Sequence, residues 1–159
     1  MLEKLKELLE MQRALDENIY TTHNVEYDEE KSYLALIDEI GELNHELKAK
    51  WCWWKKTVKP VDREKVLDEL VDVWHFALSI FYHHFYFDNG IYVKECNINV
   101  YENYKLFLIY KMLLNKYLNQ HILELMIALT HKLGFTFDDV YEAYKKKNAI
   151  NYERLKNGY

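Results

Sequence analysis

Residues 63–80 read REKVLDELVDVWHFALSI, and this stretch decides the fold because its apolar residues recur at helical spacing. Four apolar side chains lie within roughly 60° of Glu69 on a helical projection: Val66, Val73, Phe76 and Ile80. Glu69 therefore falls inside an apolar arc, and Asp72 falls at its edge. Burying a lone charge costs too much free energy for either carboxylate to stay ionised unpaired. The stretch predicts a core helix whose acidic side chains need a counter-charge.

A second acidic pair, Glu39 and Glu42, flanks an apolar stripe in the preceding helix-like segment. Acidic pairs at this i,i+3 spacing are about as frequent in the chain as chance predicts, so only their apolar surroundings are informative. Two interpretations stay open. The four carboxylates converge on a divalent-metal cluster between two helices, or they form salt bridges with lysines of neighbouring helices.

The rest of the chain is also typical of helices, with only 4 Gly and 1 Pro in 159 residues. The length indicates a single domain, 1–159. Helices are predicted over 2–20, about 30–51, from Asp62 to near Asn89-Gly90, over 101–117 and 119–133, and from Thr136 to before Gly158. Residues 91–100 could form a short strand or an ordered loop. We therefore expect an all-α bundle of about five to six helices.

Composition excludes several classes of protein. The net charge of −5 argues against general nucleic-acid binding. The first residues form an amphipathic helical pattern and not a signal peptide, and the most apolar run is too interrupted to span a membrane. Cys52 and Cys96 form no recognisable metal or disulfide pattern, so we expect a soluble protein of the reducing cytoplasm.

Two further sets of residues could bind a ligand. Lys147, Asn151 and Arg154 share one helical stripe, where they could hold a phosphate chain or merely complement the dipole at the end of the helix. Gln12 and Asp16 are neighbours at i,i+4 and could read the edge of a base, although such pairs are more often plain surface residues.

Aromatic residues accompany both acidic motifs. The segment Trp51-Cys-Trp-Trp-Lys55-Lys56 could stack a base and hold a phosphate, or its tryptophans could be core residues. His75 and Phe76 follow Asp72 by one turn. Phe76 shares the arc of Glu69, so core packing is the alternative there.

Taken together, these motifs resemble the dimeric all-α dUTPases of the MazG-like pyrophosphohydrolases. The similar features are an ExxE and an ExxD motif, a Gln-x-x-x-Asp pair, Trp-Lys, Asp-x-x-His-Phe, and Tyr144-x-x-Lys-Asn-x-x-Asn-x-x-Arg154 followed by Gly158-Tyr159. The resemblance implies Mg²⁺-dependent hydrolysis of dUTP, and also of dUDP, to dUMP by a homodimer, with pyrophosphate released from dUTP.

Roles for single residues also follow from the resemblance. It implies that Glu39, Glu42, Glu69 and Asp72 hold two or three Mg²⁺ ions, which Mn²⁺ can replace, and that Glu39 orients or deprotonates the attacking water. Gln12 and Asp16 would read uracil, with Phe76 stacked on the base and His75 close to the sugar. The phosphate chain would be held by Lys147, Asn151, Arg154 and Tyr159, with Lys55 as a lesser candidate.

Three alternatives stay open. Asp16 is a charged acceptor where an amide would read uracil more naturally, which leaves a house-cleaning pyrophosphohydrolase for dCTP or other nucleotides. Glu42-x-x-His45 and Asp72-x-x-His75 resemble di-iron carboxylate motifs. The chain could also be a non-enzymatic helical interaction domain, in which the acidic faces only contact partners.

Overall fold

The computed structural model describes residues 1–87, 90–91, 101 and 103–158. Within these residues the chain forms seven α-helices: α1 (Leu2–His23), α2 (Glu29–Glu46), α3 (Lys48–Trp51), α4 (Arg63–Phe85), α5 (Leu106–Leu113), α6 (Ile122–Lys132) and α7 (Phe137–Lys156). A 3₁₀ helix spans Lys116–His121. Strands β1 (Tyr86–Phe87) and β2 (Gly90–Ile91) pair antiparallel after α4. The predicted all-α class is confirmed.

Some boundaries differ from the prediction, and local hydrogen bonds explain two of the differences. The helix expected over about 30–51 is divided into α2 and the single turn α3. The helix expected over 101–117 is reduced to α5, because the Asn115 side chain accepts from the backbone N–H of Tyr117 and starts the 3₁₀ helix. Helix α1 continues to His23, where Asn24 adopts a left-handed conformation with φ 53°. Residues 92–100 lie outside the described residues.

Helix α4 is the central element of the core. It packs against α1, α2, α6 and α7, and most of its apolar residues are buried. Its largest side chain, Trp74, is fully buried and donates from its indole N–H to Thr130 Oγ1 at 3.0 Å. The acidic motif of α4 therefore lies on a helix that is surrounded by other helices. This explains why Glu69 and Asp72 are drawn partly out of solvent.

Local capping residues set the end of α6 and the starts of α7 and α2. Gly134 ends α6 with φ +84°, a conformation that glycine adopts without strain. Thr136 and Asp139 form a reciprocal capping box at the start of α7. At the start of α2, Asp28 accepts from the backbone N–H of Lys31. These caps set where α2 and α7 begin, and so fix the register of the residues they carry.

We expect Thr136→Ala to lower the free energy of unfolding by about 1 kcal/mol, because it removes the side-chain acceptor for the Asp139 backbone N–H. Urea denaturation followed by circular dichroism measures this loss. Thr136→Ser keeps the hydroxyl and is the matched control. Equal loss in both variants would contradict the capping role.

Among the described residues, no helix is both long enough and apolar enough to cross a membrane.

Candidate active site

Three of the four predicted acidic residues converge between α2 and α4. One carboxylate oxygen from each of Glu39, Glu69 and Asp72 lies within 4.8 Å of the others, and all three side chains are half-buried. Glu42 does not join this trio. It is exposed one turn further along α2, where it lines a cleft of about 440 Å³ together with Glu69. Glu69 therefore belongs to the trio and also lines the acidic cleft beside Glu42.

Burial and mutual repulsion act together on these carboxylates. Burial, followed by the charges of Asp72, Glu42 and Glu69, raises the pKa of Glu39 to about 7. Burial and then the charge of Glu42 raise the pKa of Glu69. The like charges are therefore incompletely compensated by the protein itself. A hard divalent cation such as Mg²⁺ or Mn²⁺ would fit, because it takes oxygen ligands and removes this repulsion.

Lys147 supplies part of the counter-charge. Its Nζ lies 2.7 Å from Asp72 Oδ2 and 3.1 Å from Asp68 Oδ1, and its side chain is only 13 % exposed. The pKa of Asp72 is raised by burial, and the hydrogen bond from Lys147 opposes this effect. The salt-bridge interpretation of the acidic residues therefore applies to Asp72, where an α7 lysine reaches α4.

The remaining members of the α7 stripe lie on the same side of the helix. Arg154 is exposed, and its positive charge opposes the rise in the pKa of Asp72. Asn151 is half-buried between Lys147 and Arg154 along the helix. Tyr159, which was predicted to hold phosphate, lies outside the described residues.

A second polar cluster joins α1, α4 and α7 inside the protein. Gln12 Nε2 donates to Asp16 Oδ1 at 2.7 Å, while Gln12 Oε1 accepts from His75 Nδ1 at 2.7 Å and from the Tyr144 hydroxyl at 2.5 Å. Gln12 and Asp16 are only 4 % and 6 % exposed. The expectation that such residues usually lie on the surface is therefore wrong here. We call these four residues the Gln12 network.

Burial dominates the electrostatics of the Gln12 network. It raises the pKa of Asp16 to about 6, against hydrogen bonds from Ser79 and Gln12. It lowers the pKa of His75 to about 3, so this imidazole is neutral and Nδ1 carries the proton that Gln12 accepts. Asp16 Oδ2 and His75 Nε2 are buried without a well-formed hydrogen bond to any described residue. The network thus holds two acceptor atoms that remain available to a ligand.

Two further predicted residues, Lys55 and Phe76, belong neither to the trio nor to the Gln12 network. Lys55 is exposed and lines a separate pocket of about 280 Å³ with His45, Lys48 and Lys59. Phe76 is half-buried and packs against the hydrophobic core.

Of the tryptophans in the 51–54 segment, one is a core residue and two are exposed and could stack on a base. Trp51 packs on the core and donates from its indole N–H to the Asn44 carbonyl at 2.8 Å. Trp53 and Trp54 are exposed, with Trp53 88 % exposed. The prediction that at least one tryptophan is a core residue is confirmed.

Sequence reasoning assigned no role to Asp68 or to Asn148, although Asn148 is part of the C-terminal signature. Asp68 shares Lys147 with Asp72, and its i,i+4 spacing from Asp72 on α4 was the available signal. Asn148 is buried beside Tyr144, and its amide nitrogen has no hydrogen-bond partner among the described residues. Its position on the buried stripe of Tyr141 and Tyr144 could have identified it.

Comparison with known proteins supports one assignment. A family model described as dUTPase matches residues 4–159. No curated protein matches the chain significantly. The matched residues include the acidic trio, Glu42, the Gln12 network and the α7 stripe. Because the match extends over almost the whole all-helical chain, the chain belongs to the dUTPase family.

Proposed function

We propose that this chain hydrolyses dUTP, the general activity that its membership of the dUTPase family supports. We propose more specifically that this chain hydrolyses dUTP, and also dUDP, to dUMP in a Mg²⁺-dependent reaction that releases pyrophosphate from dUTP. The observation that carries the proposal is the convergence of Glu39, Glu69 and Asp72 within 4.8 Å at the edge of the acidic cleft. A net charge of −5 gives this acidic protein no general attraction for a polyphosphate, so a bound cation is the simplest receptor.

The acidic residues would hold the metal, and the other polar residues would bind the substrate. Glu39, Glu42, Glu69 and Asp72 would bind two or three Mg²⁺ ions, with Mn²⁺ as a substitute. When bound, such ions lower the pKa of a coordinated water and neutralise charge on the attacked phosphate. Glu39 is the residue we assign to orient or deprotonate the attacking water, because it is the half-buried glutamate of α2 in the trio.

We assign the phosphate chain to the α7 stripe, which borders the trio. Lys147 already lies 2.7 Å from Asp72, so its ammonium group would be within reach of a phosphate bound beside the trio. Arg154 adds a second positive charge towards the same cluster. Asn151 and Tyr159 complete the residues proposed to bind the phosphate chain. Lys55 lines a separate pocket and would contribute only if the phosphate chain reached it.

We assign the base to the Gln12 network, with Phe76 stacked on the ring and His75 close to the sugar. The remaining N–H of Gln12 and the unpartnered Oδ2 of Asp16 present one donor and one acceptor. A uracil carbonyl and its N3–H match this pair. Because Gln12 is 4 % exposed, the packing around it must open to admit a base.

The same donor and acceptor also favour a second candidate. Cytosine offers an N3 acceptor and an amino donor, which match Gln12 and Asp16 in the opposite order along the ring. Hydrolysis of dCTP is therefore the second function that this site supports, as part of a broader house-cleaning activity. The di-iron alternative is disfavoured, because the trio contains no histidine and His75 Nδ1 is engaged by Gln12.

Incubation of the protein with Mg²⁺ and each of dUTP, dCTP, dTTP and the ribonucleotides, followed by separation of the products, tests the proposal. We expect pyrophosphate and dUMP from dUTP, with turnover lost when EDTA is added. Similar rates on all nucleotides would replace the proposal with a general pyrophosphohydrolase. Rates that are insensitive to EDTA would contradict the metal site.

We also propose a homodimer. Its support within this chain is exposed apolar surface on α2, where Leu34 is 58 % exposed and Ile37 lines the acidic cleft. Sedimentation equilibrium measures the mass in solution. Leu34→Glu should shift a dimer towards monomer, whereas a monomeric unsubstituted protein would contradict this proposal.

A further inference from the structure

The side-chain amide of Gln12 is held by three neighbours. Asp16 is a carboxylate and, when ionised, can only accept, so the Gln12 group facing it at 2.7 Å is the NH₂. Gln12 Oε1 must then accept from its other neighbours, the Tyr144 hydroxyl and His75 Nδ1. Both acceptor positions of Oε1 are filled, and one N–H of the amide is left over. The amide can therefore act towards a ligand only as a donor.

Among the three neighbours of the Gln12 amide, Tyr144 is the one that could not be predicted from the sequence. It lies on α7, is fully buried, and stacks on the His75 ring with 4.1 Å between ring centroids. Its hydroxyl is 132 residues from Gln12 in the sequence and 2.5 Å away in space. Burial raises the pKa of Tyr144 well above 10, so the phenol remains a donor at physiological pH.

We propose that Tyr144 is a positioning residue that keeps the Gln12 amide oriented as a donor, and that it thereby favours uracil over cytosine. The proposal rests on the proposed function, in which Gln12 reads the base. When the base is seated with its 4-position facing Gln12, a fixed donor meets the O4 carbonyl of uracil favourably and the amino group of cytosine unfavourably. Cytosine satisfies the same donor only when it shifts so that N3 faces Gln12. If the amide could rotate by 180°, its oxygen would accept from that amino group and the discrimination would weaken.

The simplest alternative is that Tyr144 only fills the core. Tyr144→Phe separates the two roles, since it keeps the ring, its packing and its stacking on His75, and removes only the hydroxyl. Tyr141→Phe is the matched control. Tyr141 lies one turn earlier on α7 and also donates its hydroxyl to α1, at 2.7 Å to Glu7, away from Gln12.

Steady-state kinetics on dUTP and dCTP, with both variants and the unsubstituted protein, is the first test. For Tyr144→Phe we expect KM for dUTP to rise about threefold to tenfold, the effect of one lost hydrogen bond. The kcat for dUTP should stay within about twofold, and the preference for dUTP over dCTP should fall by a factor similar to the rise in KM. Tyr141→Phe should change neither KM nor the preference.

A double-mutant cycle with Gln12→Ala is the second test, read as binding of dUMP and dCMP by calorimetry. If Tyr144 acts through Gln12, Tyr144→Phe should weaken dUMP binding when Gln12 is present. The same substitution should have no effect on dUMP binding in the Gln12→Ala background. Equal effects in both backgrounds would overturn the proposal, as would kinetics indistinguishable from Tyr141→Phe. If the unsubstituted protein binds dUMP but does not hydrolyse dUTP, the proposed function fails, and the cycle still decides the role of Tyr144.

Discussion

The Glu69→Gln protein is expected to hydrolyse dUTP with Mg²⁺ about a hundredfold to a thousandfold more slowly than the unsubstituted protein. Glutamine has the size of glutamate but no charge, so the trio would lose one of its three anionic ligands. The metal-free fold should be at least as stable. The reason is that burial and the charge of Glu42 raise the pKa of Glu69, which means that its ionised form is disfavoured in the folded protein.

Three measurements separate these effects. Initial rates with dUTP report catalysis, Mn²⁺ titration by electron paramagnetic resonance reports metal binding, and thermal denaturation with and without Mg²⁺ reports stability. Mg²⁺ should raise the melting temperature of the unsubstituted protein and not that of Glu69→Gln, since only a cation bound to the native state stabilises it.

Glu142→Gln is the control for the loss of one negative charge. Glu142 is exposed on α7 and forms an acidic pair with Asp139 at the same i,i+3 spacing. It should retain full activity and Mn²⁺ binding. Full activity of Glu69→Gln would instead favour the non-enzymatic interaction domain, in which the acidic faces carry no chemistry.

The Asp16→Asn protein is expected to be more stable than the unsubstituted protein above pH 7, by up to about 3 kcal/mol. Burial raises the pKa of Asp16 from 3.8 to about 6, and this difference at about 1.4 kcal/mol per pH unit sets the limit. The raised pKa means that the folded state binds a proton more tightly than the unfolded state. The contribution of Asp16 is therefore most favourable below pH 4 and is lost as the pH rises to about 6.

Urea denaturation at several pH values between 4 and 8 tests this prediction. The difference between the two proteins should be small near pH 4, grow up to about pH 6 and then stay constant. Both proteins contain His75, whose lowered pKa makes stability fall as the pH drops below 6.5. Subtracting their free energies of unfolding at each pH removes this opposite contribution. It also removes that of Glu39, whose pKa is raised to about 7.

Asp28→Asn is the control, because the pKa of this exposed N-cap carboxylate is lowered and not raised, chiefly by its hydrogen bond from the Lys31 backbone. It should give no gain in stability at any pH. A gain for Asp16→Asn that did not depend on pH would show that packing, and not the buried charge, is responsible.

The sequence was sufficient for features that depend on residues within about one helical turn. Asp28, Gly134 and the Thr136–Asp139 capping box lie where their local signals predict, because a cap is completed by neighbours only a few residues away. The apolar stripes of α2 and α4 also predicted that Glu39 lies beside a buried surface and that Glu69 lies within one. Packing the two stripes against each other brings their flanking acids together.

Contacts between distant parts of the chain were decided only by the tertiary structure. Periodicity indicates which face of a helix is buried, but it does not specify the helix that covers it. For this reason Lys147 could be predicted to face a phosphate but not to pair with Asp72 and Asp68. Gln12 could be predicted as a base reader, but its burial under Tyr144 of α7 follows from helix packing alone.

The same division applies within the acidic motifs. From the sequence, both glutamates of the ExxE motif, Glu39 and Glu42, were predicted to bind metal. Only Glu39 joins the trio, because Glu42 lies one turn further along α2 and faces the exposed cleft. The amino-acid sequence by itself determined an all-α chain with two acidic helices. The packing of α1, α2 and α7 around α4 determined which charges meet, since the free energy of a buried charge depends on partners that are distant in the sequence.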